Sequence, residues 1–318
     1  MDLIGKLQPI IILASAIVGL LLGKFTLLGN VSTVLIEIFL MLLLYILFLT
    51  VDLKQLKKAL TNVQYTIIAV VINFVITPVI AYVLGRVFFA DSIDIRIGLI
   101  MLLVTPCTDW YLVFTGLSKG NVELNLSILP LNLILQIVLM PIYLLVFLGS
   151  EVEMNMLSIL QSILLVLLIP FAFAIITKTL IRKRQSAKDF ISAQSDNLQL
   201  LFLCLAVIVM FASEGKNLFE NPSLLLKMFI PLVLFFIIIF FVAQIAGRLF
   251  HFTRKDIIAL NFTTLARNSP LSLAIAVATF PEQPMISLAL VIGPLIELPI
   301  LSIISGVLLR WSMSEIKT

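Results

Sequence analysis

A chain of 318 residues that is 61% hydrophobic and only 12% charged, with a mean hydropathy of +1.20, is not a soluble globular protein, in which about a quarter of residues are charged. The formal net charge is +4, but the basic residues are scattered between apolar segments instead of clustering on one polar face, which argues against a nucleic-acid partner. Two cysteines and one histidine, His251 in a basic loop, supply neither a disulfide framework nor an imidazole metal site, and no cofactor is expected.

The predicted elements are therefore membrane spans, each of roughly 20 mostly apolar residues. Read from charge to charge, ten segments follow one another. The first, 7–23, contains "ILASAIVG", which resembles a signal-peptidase site. Its apolar run continues to Gly23, so it reads as a retained span, and its "GLLLG" suits close helix packing. Next come 34–51, with Glu37 near its edge, and 63–85. The fourth span, 93–118, is broken near Pro106 inside "VTPCTDW". Then follow 124–149, 155–177, 197–213 and the phenylalanine-rich 228–247, read as lipid-facing bulk. The ninth, 256–280, is broken near Asn268 inside "LARNSPL", and the tenth, 284–309, carries Glu297. Cys204 reads as a small buried hydrophobe. Asn73, Asn132, Gln136 and Gln244 lie in apolar windows and are expected to hydrogen-bond between helices.

Ten spans put the termini on the same side as the loops after spans 2, 4, 6 and 8. That side then carries 15 of the 21 lysines and arginines; the other has Lys24, Arg86, Arg96, Lys216 and Lys227, and Arg267 lies within a span. The positive-inside bias places both termini in the cytoplasm of a multi-pass protein of the cell membrane. The two interrupted spans stand five apart, so halves 1–150 and 151–318 run in opposite directions, as in an inverted repeat. The register agrees. Thr105, Pro106, Cys107 and Thr108 follow Asp94 at the same offsets at which Arg267, Asn268, Ser269 and Pro270 follow Asp256. Both halves also carry a proline opening the last span, in "LPLN" and "GPLIE".

Backbone groups freed by a helix break cannot face lipid and must face protein or a water-filled cavity. Paired breaks in inverted halves mark a transporter's binding site near the midplane, so Cys107, Thr108, Asn268 and Ser269 are the candidate substrate-binding residues. Asp109 and Arg267 bring one charge of each sign to the breaks. A charge at mid-bilayer costs about 2.5–3.5 kcal/mol, so the two are expected to pair, either as a structural lock or as a substrate contact. Glu297, between Pro294 and Pro299, either accepts a hydrogen bond from a neighbouring helix or carries a proton, the usual role of an intramembrane carboxylate. A lone cysteine is more often inert packing, but the position of Cys107 at a break suits a soft thiolate that captures thiophilic species.

At these residues the chain resembles a family. "TPCT" followed by "GLSKGN", and "LAIAVATF" followed by "VIGPLIELPIL", are similar to the arsenical-resistance carriers of the bile acid:sodium symporter superfamily. The resemblance implies an all-α fold of ten transmembrane helices as two inverted five-helix repeats, with helices 4 and 9 broken and crossing. It also implies panel and core domains each drawn from both halves, and export of arsenite or antimonite in exchange for protons. Cys107 matches the family's essential cysteine and Glu297 its tenth-span carboxylate. Where the family reads Asn-Asn-Phe-Glu, this chain has Ser269, Pro270, Leu271 and Ser272. The glutamate that helps hold sodium in the sodium-coupled relatives is therefore serine here, and Arg267 lies close by. Asp109–Trp110 is a second departure from the pattern.

An alternative is a sodium- or proton-coupled carrier of a small organic anion, with Arg267 and half-helix N-termini receiving a carboxylate. An intramembrane enzyme with Cys107 as nucleophile would need a base, and none accompanies it: no GxSxG or HExxH occurs. An ATP-driven pump would need a P-loop, which the chain lacks.

Overall fold

The computed structural model describes residues 3–25, 31–50, 62–108, 110–149, 156–181, 184–220 and 223–314. Among these residues every regular element is a helix. In chain order they are α1 (Leu3–Phe25), α2 (Val31–Thr50), α3 (Val63–Phe88), α4 (Ile93–Leu103), α5 (Trp110–Leu117), α6 (Val122–Leu148), α7 (Met156–Leu180), α8 (Gln185–Glu220), α9 (Ser223–Leu249), α10 (Arg254–Leu265), α11 (Ser269–Thr279) and α12 (Pro284–Ser314). Among the described residues four stretches are long and apolar enough to cross a membrane: Val63–Phe88, Val122–Phe147, Leu226–Leu249 and Pro284–Trp311. The helix α8, bent by 42° between Asp189–Ser195 and Asn197–Ser213, makes a fifth when taken as one span.

Both expected breaks are present. Pro106 has no N–H and disfavours a helical conformation at Thr105, so α4 ends at Leu103 and α5 starts at Trp110. In the second break Ala266 turns extended, with ψ 137°. The next helix begins at Ser269, with Pro270 in the first turn, where a missing N–H costs nothing. The prolines expected to open the last span of each half lie deeper. Pro130 is inside α6 and Pro294 inside α12; a proline within a helix forfeits one hydrogen bond, and the apolar residues on either side continue the helix past it.

The chain divides into two compact units. One comprises 1–51, 154–224 and 270–291. In it α1 and α2 both pack on α8, and α2 also packs on α7. The glycines of "GLLLG" make this possible. A Cβ on Gly19 would stand 2.5 Å from the Ile208 carbonyl oxygen, and one on Gly23 2.4 Å from that of Ala212, so only glycine admits so close a backbone approach. Tyr45 and Thr177 share a hydroxyl hydrogen bond of 2.8 Å, and Phe48 meets Phe171 edge to face at 5.3 Å.

The other unit comprises 52–153, 225–269 and 292–318. Its helix α3 widens to a π-turn over Ile72–Ile76, just before Pro78. Proline cannot donate to the carbonyl four residues back. That carbonyl, on Phe74, instead accepts the Tyr143 hydroxyl from α6 at 2.6 Å. A second tie is the Asn125 carboxamide, fully buried on α6. Its Oδ1 accepts from the Tyr65 hydroxyl of α3 at 2.6 Å. Its Nδ2 donates to Thr115 Oγ1 of α5 at 2.8 Å and to the Ala259 carbonyl of α10 at 3.0 Å. One side chain thus joins four helices.

Candidate functional site

The two breaks meet. The Cys107 amide donates to the Ala266 carbonyl at 2.9 Å, and the Asn268 amide donates to the Thr105 carbonyl at 2.8 Å. Together they form an isolated antiparallel bridge between Pro106 and Arg267. Backbone groups that a break takes out of helical pairing must find partners when buried. Here each break supplies the partners of the other. Cys107 is 4% exposed, and its sulfur accepts the Trp110 amide at the start of α5 at 3.3 Å. The thiol therefore sits at the crossing, against a helix N-terminus. Thr108, the next residue, is buried, and so are Asn268 and Ser269 at the second break.

Arg267 is the largest commitment of polar groups at the site. Its backbone amide donates to Glu297 Oε1 of α12 at 2.8 Å, which ties that carboxylate to the second break. Its Nε donates to the Leu265 carbonyl at 3.1 Å and its Nη1 to the Leu103 carbonyl at 2.8 Å. Its Nη2 donates to Asn73 Oδ1 at 3.2 Å and to the Thr264 carbonyl. The guanidinium also lies over the Phe235 ring of α9, 5.3 Å from the ring centroid, a favourable cation–π arrangement. Leu103 is the last residue of α4 and Leu265 of α10, so one cation serves the ends of two half-helices. These are the carbonyls that lose their intrahelical donors, and cations at helix C-termini are stabilising.

The structure gathers Cys107, Arg267, Asn268 and Glu297 around one crossing. Asp109, the expected partner of Arg267, lies outside the described residues. Of the four amides expected to bond between helices, Asn73 does so twice: its Nδ2 donates to the Thr263 carbonyl at 3.1 Å and its Oδ1 accepts from Arg267. Asn132 Nδ2 donates to Thr263 Oγ1 at 3.3 Å. Gln136 and Gln244 correct the expectation. Both are buried, and neither end of either carboxamide has a partner among the described residues. Phe235 corrects it too: it is buried under the arginine, whereas Phe229 and Phe241 of the same helix are exposed. A phenylalanine-rich run carries no local mark of which ring meets a cation. For Asn73 the mark was available, since an asparagine five residues before Pro78 stands where the helix is loosened.

The sequence profile of the Sodium Bile acid symporter family matches residues 37–221. The Arsenical-resistance protein Acr3 of Corynebacterium glutamicum is 26% identical over 259 residues, covering 77% of this chain and 70% of that protein. The Arsenical-resistance protein Acr3 of Alkaliphilus metalliredigens is 23% identical over 280 residues, 84% of this chain and 78% of its own. An uncharacterized transporter of Synechocystis, slr0944, is 25% identical over 289 residues, 84% of this chain and 76% of its own. The profile covers more than half of the 318 residues, on a chain of apolar helices with a polar crossing buried among them. The protein is a multi-pass membrane transporter and belongs to the sodium bile acid symporter family.

Proposed function

We propose that this transporter exports arsenite, and antimonite by the same chemistry, from the cytoplasm in exchange for protons. It works as two inverted five-helix repeats with both termini cytoplasmic. The observation that carries the reading is the Cys107 sulfur, buried where the two breaks meet and receiving the Trp110 amide. A thiolate is a soft ligand for a thiophilic metalloid, and an amide at a helix N-terminus favours the thiolate form. Capture is an exchange: the thiol of Cys107 gives up its proton, a sulfur–arsenic bond forms, and one hydroxide of arsenous acid leaves with that proton as water. Release is the reverse. One such bond gives weak, reversible capture, which suits passage. The similarity to two proteins named for arsenical resistance points the same way.

Glu297 is the proton carrier in this reading. Its Oε1 holds the Arg267 amide, so gain or loss of its charge acts directly on the backbone of the second break. Thr108, Asn268 and Ser269 complete the substrate site, and Asp109 pairs with Arg267. The organic-anion alternative asks Arg267 to receive a carboxylate, but every guanidinium nitrogen already donates to a protein oxygen. The fifth N–H, on Nη1, is the one that Asp109 takes in this reading, so a substrate carboxylate would have to strip the half-helix ends of their donor.

The test is arsenite uptake into everted vesicles under an imposed proton gradient without sodium, with a bile acid as comparison substrate. Uptake that requires the proton gradient and disappears in Cys107→Ser supports the reading. Uptake of the bile acid alone, or arsenite uptake that follows sodium and ignores protons, contradicts it.

A further inference from the structure

We propose that Asn132 and Gln136 form a hydroxyl-binding subsite, which takes a small, neutral, multiply hydroxylated solute: the undissociated trihydroxide of a metalloid. The inference rests on the arsenite reading and specifies which form of the substrate is recognised and by which helix. Asn132 and Gln136 stand one turn apart on α6 and therefore share a face. Asn132 is 0% exposed and Gln136 1%. Three of their polar atoms have no hydrogen-bond partner among the described residues: Asn132 Oδ1, Gln136 Oε1 and Gln136 Nε2. A buried polar atom without a partner has lost its water for nothing, and such atoms are rare unless something fills the place. The same helix shows that its amides can be satisfied by protein: Asn125, two turns earlier, makes three hydrogen bonds through its carboxamide.

The kind of orphaned atom selects the ligand. A bare cation would use the two oxygens and leave the Gln136 NH₂ facing it with the wrong polarity. An anion would use the NH₂ and be repelled by the oxygens. A hydroxyl both donates and accepts, so a neutral molecule with several hydroxyls satisfies all three atoms at once. The face is wired to the crossing. Asn132 donates to Thr263 Oγ1, the Thr263 carbonyl accepts from Asn73, and Asn73 accepts from Arg267, the residue bridged to the Cys107 break. In this scheme the amides read arsenous acid with its three hydroxyls intact, before exchange at Cys107 removes one of them as water.

The test uses the purified full-length chain and boric acid, a neutral trihydroxide that does not exchange with thiols. Millimolar boric acid is expected to raise the melting temperature of the wild type and of Cys107→Ser, and to leave Gln136→Leu and Gln136→Met unmoved. In proteoliposomes the same two Gln136 variants should take up arsenite at least about tenfold more slowly. Their melting temperature without ligand should be unchanged or higher, since each replaces an unsatisfied amide by an apolar group of similar size. Two variants are used so that a packing fault in one does not decide the result. A boric acid shift that survives in both, or is absent in the wild type, overturns the proposal, as does undiminished arsenite uptake in the variants. Should the wild type carry no arsenite, the proposed function fails, while the boric acid measurement still decides the subsite.

Discussion

The two helix breaks stand at the same offset in the two halves of the chain, yet they are built differently. The first runs five described residues, 104–108, after Leu103, and carries a sulfur that accepts the amide of Trp110. The second runs three, 266–268, between Leu265 and Ser269. It is clamped by a guanidinium that donates to four oxygens drawn from α3, α4 and α10 and rests on an aromatic ring. The pairing of Cys107 with Ala266 and of Asn268 with Thr105 makes them one object. The difference teaches a division of labour. The second break holds the crossing together, and the first, relieved of that task, presents a reactive group.

That division is broken most severely by changing the clamp. Arg267→Gln leaves buried carbonyls of two half-helices without a donor, and should lower unfolding stability by about 3–5 kcal/mol, measured by thermal or denaturant unfolding in detergent. A loss below 1 kcal/mol would refute the clamp. Combining it with Asp109→Asn sharpens the point: a paired Asp109 makes the double variant less impaired than Arg267→Gln alone, whereas additive losses would show that the two residues do not interact.

Cys107→Ser should do the opposite, lowering arsenite transport by at least about 100-fold while the melting temperature stays near that of the wild type. Cys204→Ala, at a buried cysteine outside the crossing, should leave transport nearly intact. Equal effects of the two substitutions would remove the distinction between a reactive and a packing thiol.

Glu297→Gln keeps a carbonyl-type acceptor for the Arg267 amide and removes the titrating proton. It should abolish arsenite-driven proton movement in sodium-free proteoliposomes while equilibrium binding of arsenite is partly retained. Proton movement that persists in this variant would assign coupling to another group.

The smallest effect is expected at Gly293. A Cβ there would stand 2.7 Å from Leu102 Cδ2, at the end of α4 next to the first break. The contact is with the far end of a side chain, so Gly293→Ala should cost about 1–3 kcal/mol of stability and slow transport modestly. No change in either would mean that α4 and α12 tolerate separation at this level.

The apolar segments, both breaks and the residues of the crossing were legible in the sequence because each is a local property. Hydropathy over a window of one helix length, a proline that cannot donate and a charge that cannot face lipid all speak within a few residues. Close packing at "GLLLG" was legible for the same reason, since small residues one turn apart admit a backbone wherever it comes from. What a buried side chain touches is not local. Leu103 lies 164 residues from Arg267 and Asn73 lies 194, and only tertiary packing brings them together. The same packing decided that Phe235 and not its neighbours underlies the arginine, and that Asn125 finds partners among the described residues while Gln136, on the same helix, does not. Helical periodicity gives both amides an inward face, but the groups standing opposite belong to other helices, and their positions along α6 are set by how those helices slide and cross.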